Sequence, residues 1–197
     1  MDPKTLIDKY FSNYVLITNK DSKSLERGDR YPFADKILKS EFIRNDDSLE
    51  HIYKKVVLLN ALYSTNIFAT FDMAIHISRI DRFRERVEIG DYNLIEEIRH
   101  LTIGETQKSF YSFATKYCHH HNPNKFPIFD KYVEKMLLLK LRELEPKTHF
   151  DKDMLKKYPY FLECIDLLCN LWHLGDDYKY EKLDKYLWQK GKELANS

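Results

Sequence analysis

Q-K-S-F-Y-S-F-A-T-K-Y-C-H-H-H-N-P-N-K-F-P-I-F-D-K-Y-V-E-K-M-L, residues 107–137, is the stretch whose reading decides the fold. It reads as a helix, a short turn built on Pro123 and Pro127, and a second helix opened by Asp130. Phe110, Phe113, Ala114 and Tyr117 recur at the spacing of one buried helical face. Lys108, Ser112 and Lys116 stand four residues apart and are expected to line up on the other, polar side. The turn is too short to let Asp130 wander. The sequence therefore predicts a carboxylate held near the polar side of the preceding helix.

Immediately upstream, Leu94, Ile95, Ile98 and Leu101 mark a helix over residues 91–101. T-I-G-E-T-Q-K joins it to the deciding stretch, and Gly104 permits a tight connection. Residues 93–116 thus read as helix, short hairpin, helix. Earlier in the chain, Leu6, Ile7, Tyr10, Phe11 and Tyr14 give a short amphipathic helix. Residues 18–30 are polar, include Gly28, and are expected to form a mobile loop. Phe33, Ile37, Leu38 and Phe42 suggest another helix, ended by an N-D-D-S turn at residues 45–48. Ser48 is a good N-cap for a helix carrying Leu49, Ile52, Tyr53, Val56, Leu59 and Tyr63. That helix runs into a polar break at Tyr63, Ser64, Thr65 and Asn66, with Asn60 just before it, and a helix resumes over 68–80. The break reads either as a ligand-facing corner or as an ordinary turn whose polar side chains cap helix ends.

Downstream of Asp130, Val133, Met136, Leu137, Leu141 and Leu144 continue an apolar stripe to Pro146. Helices follow over 160–174, stopped by Gly175, and over 179–194. The only β-like run is V-L-I-T at 15–18. The fold class is therefore all-α.

With 197 residues, the chain is read as a single helical domain able to bury a real core. Hydrophobic residues at 43% argue against disorder, and 5 Gly with 6 Pro are too few for a turn-rich β fold. The net charge of +1 excludes a strongly basic tail. It leaves room for nucleic acid, because helix N-termini and a few local cations can hold phosphates. Arg79, Arg82, Arg84 and Arg86, flanked by Asp81, Glu85 and Glu88, read as a solvated helix end. Three cysteines, Cys118, Cys164 and Cys169, fit a reduced cytoplasmic protein better than a disulfide scaffold. No apolar run approaches the ~18 residues of a membrane span, and M-D-P-K-T does not begin a signal peptide. No membrane partner is expected.

Phosphate-loop, dinucleotide, zincin and nucleophile-elbow signatures are missing. Cys118-His119-His120-His121 resembles a metal tract, yet neighbours on a helix point about 100° apart and do not share one ion. These histidines read as a favourable end to a helix, at its negative pole, with one or two facing a cleft. Neither metal nor cofactor is expected. Asp130 reads as an N-cap, and a capped carboxylate is also ionised and aimed, able to stabilise a cationic transition state. A lysine in a partly dry cleft becomes a nucleophile when its pKa falls.

Helix, Gly-containing hairpin, helix, Pro-rich turn and an Asp opening the next helix: this order resembles the helix-hairpin-helix DNA glycosylase superfamily, in particular its 8-oxoguanine glycosylase-like branch. The matching residues are G-E-T-Q-K, ending in Lys108, and F-P-I-F-D, ending in Asp130. L-Y-S-T-N-I, residues 62–67, looks like the family's polar junction that enters DNA at a flipped nucleotide. S-F-A-T-K-Y-C-H-H-H-N-P is similar to bacterial proteins of this type, so Lys116 competes with Lys108 for the role of amine.

The resemblance implies an orthogonal helical bundle with residues 49–140 as its core and 1–48 plus 141–197 as a second lobe. It implies double-stranded DNA with a modified base as partner, in repair or phage defence. Asp130 with Lys116 or Lys108 would be catalytic. Asn60, Tyr63, Ser64, Thr65, Asn66, Gly104, Ser112 and His119 would face the base or the DNA. The alternatives are a non-catalytic DNA- or nucleotide-binding module and a helical interaction protein of a defence assembly.

Overall fold

The computed structural model describes residues 2–44 and 46–196; Asn45, in the expected 45–48 turn, lies outside the described residues. The fold is all-α, with ten α-helices and one small antiparallel ribbon among the described residues. The chain divides into two compact units, Val15–Phe126 and Met1–Tyr14 with Pro127–Ser197.

The Val15–Phe126 unit contains α2 (Arg30–Phe42), α3 (Leu49–Tyr63), α4 (Thr70–Ser78), α5 (Phe83–Ile89), α6 (Asn93–Arg99), β1 (His100–Ile103), β2 (Thr106–Ser109) and α7 (Tyr111–His121). Two 3-10 turns, Ser22–Ser24 and Arg27–Asp29, occupy the expected polar loop, and Lys20 pairs with Asp29 at 2.9 Å. Ser48 caps α3 by accepting from the His51 N–H. Val56, Leu59, Met73, Ala74, Leu94, Ile98, Phe113 and Ala114 fill the core between these helices.

The connection from α6 to α7 corrects the sequence reading. Residues 91–101 do not stay helical: α6 ends at Arg99 and the chain turns into a two-stranded ribbon with Ile103 opposite Thr106. Gly104 takes φ +60°, the positive φ that a two-residue hairpin turn asks for. The ribbon closes where Phe110 N–H donates to the Arg99 carbonyl at 2.8 Å. Four-residue strands with only Leu101 buried leave no alternation to read. V-L-I-T at 15–18, the β-like run, is the end of a helix instead. Arg86 bridges Asp91 at 2.7 Å and Glu97 at 2.5 Å, so this one member of the Arg cluster tethers α5 to α6.

The other unit holds the start of α1 (Pro3–Thr18), α8 (Lys131–Leu144), α9 (Tyr158–Leu171) and α10 (Glu181–Asn196). Ile7, Val133, Leu137, Leu141, Phe161, Leu168, Leu183 and Leu187 are its core. α9 stops at Leu171, three residues before the Leu174–Gly175 step expected to end it. Gly191 lets α10 lie directly on α8: a Cβ there would stand 2.2 Å from the Tyr132 carbonyl oxygen. The two backbones thus come into near-contact within the first turn of α8, close to Asp130.

Candidate functional site

Two places gather the residues singled out by the sequence, one in each unit. In the Val15–Phe126 unit the centre is Lys116 on α7. Its side chain is buried, although the sequence placed it on a polar row. The Nζ donates to Ser112 Oγ, one turn back, at 2.5 Å. It also lies 5.8 Å from the centre of the Tyr63 ring, at the C-terminus of α3. The Tyr63 hydroxyl donates to Asp35 Oδ1 on α2. Tyr31 and His120 stand against the same ring at 6.1 Å and 5.9 Å. A buried ammonium or carboxylate is costly without partners, and here each polar group has one. The result is an amine, a phenol and a carboxylate linked in series.

Asp35, only 1% exposed, was not among the residues the sequence marked. A signal existed: it sits with Ala34, Leu38 and Phe42 on the buried face of α2, and a carboxylate on an apolar face demands a partner.

The polar break behaves differently. Asn60 Oδ1 accepts from Thr65 Oγ1 and from Ile67 N–H, both at 2.9 Å, and its Nδ2 donates to the Ile67 carbonyl at 2.9 Å. Asn60 and Thr65 therefore staple the corner between α3 and α4. Ser64 and Asn66 take positive φ, 51° and 60°, and are exposed. Of this group, Tyr63 is the residue that reaches Lys116. His119 is buried and its Nδ1 donates to the Phe126 carbonyl at 2.8 Å, tying the end of α7 to the following loop. Gly104 is at the exposed tip of the ribbon. Lys108 is on β2 and exposed, so it does not continue the Ser112–Lys116 row.

Beside the Lys116 cluster lies a second group of basic side chains, of which Lys55 is buried. Lys55 is 0% exposed, its Nζ is 5.5 Å from the Phe42 ring centre, and it has no hydrogen-bond partner among the described residues. Burial and then the Arg84 guanidinium pull its pKa down. His121 packs on Phe42, Phe83 and Tyr117. Burial pushes its pKa well below the usual value, with further contributions from Lys55, Arg84 and His120. The nearby carboxylates are engaged: Asp47 with Arg84, Glu41 with Lys54 and His51, Asp46 with His51.

Asp130 belongs to the other unit. Its Oδ1 accepts from the N–H groups of Tyr132 at 2.8 Å and Val133 at 3.0 Å. The turn before it is pinned by the buried Tyr158 hydroxyl, which donates to the Pro127 carbonyl at 3.0 Å, and by Phe129 packed edge-on against Phe161. The carboxylate is thereby fixed at the positive end of α8, with Oδ2 left over from the cap.

The cysteines offer no nucleophile. Cys118, Cys164 and Cys169 are free and buried, and burial raises all three thiols, Cys164 and Cys169 to about 11. Among the described residues no set of three His, Cys, Asp or Glu side chains is placed to hold a metal, and no helix is long and apolar enough to cross a membrane.

No solved structure matches this chain. A protein of Haemophilus influenzae, described as "Uncharacterized protein", is 40% identical over 154 residues, covering 78% of this chain and 72% of that one. The family HI_0787_N, described as an N-terminal domain, matches residues 7–125. The match ends one residue short of the boundary after Phe126, so the Lys116 cluster lies inside it and Asp130 outside. By the extent of that match and by this relative, the chain belongs to the HI_0787_N family.

Proposed function

We propose that the protein cleaves the N-glycosidic bond of a modified or damaged base in duplex DNA, with Lys116 as the amine. The observation that supports this most is the burial of Lys116 against Ser112 and Tyr63, with Asp35 behind the phenol. An unprotonated lysine amine carries a lone pair able to attack an electrophilic carbon. A base stacked in a duplex is unreachable, so the target nucleotide must first be flipped out. Attack by Nζ on C1′ forms the N–C1′ bond as the bond to the base breaks, and the leaving base takes up a proton. Loss of the ring oxygen bond then gives a Schiff base. The Tyr63 ring stabilises the iminium cation through its π face. For Asp130, which stands in the other unit, the family resemblance by itself implies the part of a carboxylate that steadies an oxocarbenium-like sugar.

The test is borohydride trapping on a panel of duplexes carrying oxidised, alkylated or hypermodified bases. Wild type is expected to form a covalent complex that persists in Lys108→Gln and vanishes in Lys116→Gln. Asp130→Asn is expected to lose excision while keeping its fold, because asparagine caps a helix as well as aspartate does. Wild-type protein that leaves every duplex intact would sink the enzyme reading, and duplex binding without excision would make the protein a binding module.

A further inference from the structure

α8 presents an exposed stripe that the proposed chemistry does not use. Lys131, Lys135, Leu139 and Arg142 are exposed and follow one another by four, four and three residues, so they share one face. With Lys152 they border a groove of about 520 Å³ whose floor includes Leu138. Glu134 is the acid of this groove, and Lys152 binds it at 3.1 Å. The other three cations meet neutral groups. Lys135 Nζ donates to the Leu194 carbonyl at 3.3 Å, Arg142 donates to the Phe150 carbonyl at 3.4 Å, and Lys131 lies 4.8 Å from the Tyr132 ring centre.

Lys131 is also at the first position of α8, where the helix dipole disfavours a cation. A protein of net charge +1 has thus gathered on one face three cations whose partners are neutral groups rather than carboxylates. The row begins at the residue next to Asp130. From this charge, the neutral partners of Lys131, Lys135 and Arg142, and the starting point of the row, we infer that the α8 groove tracks the phosphates of a DNA strand, an assignment that rests on the reading of the protein as one that acts on DNA. Phosphate contacts of this kind set register and orientation without reading sequence. An acidic protein segment fits less well, because the exposed apolar side chains of the groove are Leu139 and Leu194, 37% and 39% exposed, set among four cations.

The experiment measures binding of a labelled, unmodified duplex by anisotropy over a salt series, so that it needs no excision. Each phosphate contact contributes about 0.9 to the slope of log affinity against log salt. Lys131→Gln, Lys135→Gln and Arg142→Gln are each expected to lower that slope by about one, and to weaken binding severalfold at low salt. Lys140→Gln, on a lysine paired with Glu143 at 2.6 Å, is expected to leave it unchanged. Urea midpoints equal to wild type establish that the exposed variants are folded. Wild-type binding with a slope that none of the three variants lowers overturns the groove and spares the DNA reading. Absence of wild-type duplex binding overturns the groove outright. A lowered slope in protein that excises nothing keeps the groove and removes the enzyme reading. Lys135-dependent binding of an amphipathic Glu/Leu peptide, with the DNA slope unmoved, makes this a protein-docking surface instead.

Discussion

Asp130 is held by hydrogen bonds to residues two and three positions further on, whereas Lys116 is held by side chains drawn from three helices, reaching back to Tyr63 and Asp35. The first arrangement is a local motif and carries its instructions in a few consecutive residues. The second exists only once α2, α3 and α7 have packed. A local cap can be lost at the cost of one helix end. A buried polar cluster fails as a unit, because removing one member strands the others in an apolar setting.

That contrast can be broken or sharpened by mutation. Asp35→Ala has the largest expected effect. It takes away the Asp35 acceptor of the Tyr63 hydroxyl, beside a buried lysine, and is expected to cost about 3 kcal/mol in urea unfolding. A cost below about 1 kcal/mol would mean that the cluster is not cooperative.

Gly191→Ala acts on the other side of the comparison. Its methyl would collide with the Tyr132 carbonyl, so α10 must shift off α8, at an expected cost of about 2 kcal/mol. An unchanged urea midpoint would show that α8 does not depend on this close approach.

The cation group beside Lys116 gives a pH test. Native His121 stays neutral, held so by burial and by Lys55, Arg84 and His120. Unfolded, it titrates near 6.5. Below that pH the unfolded chain binds a proton that the native state refuses, so stability falls as pH falls, by at most about 1.4 kcal/mol per pH unit from this residue. Urea midpoints between about pH 7.5 and pH 5 are expected to drop in wild type and to flatten in His121→Phe. An equal slope in both would assign the acid sensitivity elsewhere.

Asp130→Ala is expected to cost about 1 kcal/mol, and Asp130→Asn close to nothing. A loss of several kcal/mol in Asp130→Ala would show that the carboxylate supports more than its cap. Lys108→Gln, on the exposed β2, is expected to stay within about 0.5 kcal/mol of wild type.

Most helices were legible in the sequence because apolar residues recur with the helical period over ten or more positions, as in α3 and α8. The caps at Ser48 and Asp130 were legible because the signal is local. The ribbon at 100–109 was not, since its strands are short and almost wholly exposed. The candidate site was half legible. Lys116, Ser112 and Tyr63 could be named, but Asp35, the acceptor for the Tyr63 hydroxyl, lies 28 residues before it on a helix that looked purely structural.

The sequence by itself determined that the protein is helical, where most of its helices run, and that a capped carboxylate opens α8. These follow from periodicity and from side chains bonding their own backbone. Only the tertiary structure decided which lysine is buried, since burial depends on what packs over a residue. Lys108 and Lys116 are alike as residues. One ended on an exposed strand and the other beneath Tyr63, because the chain between them left the ribbon before α7 began.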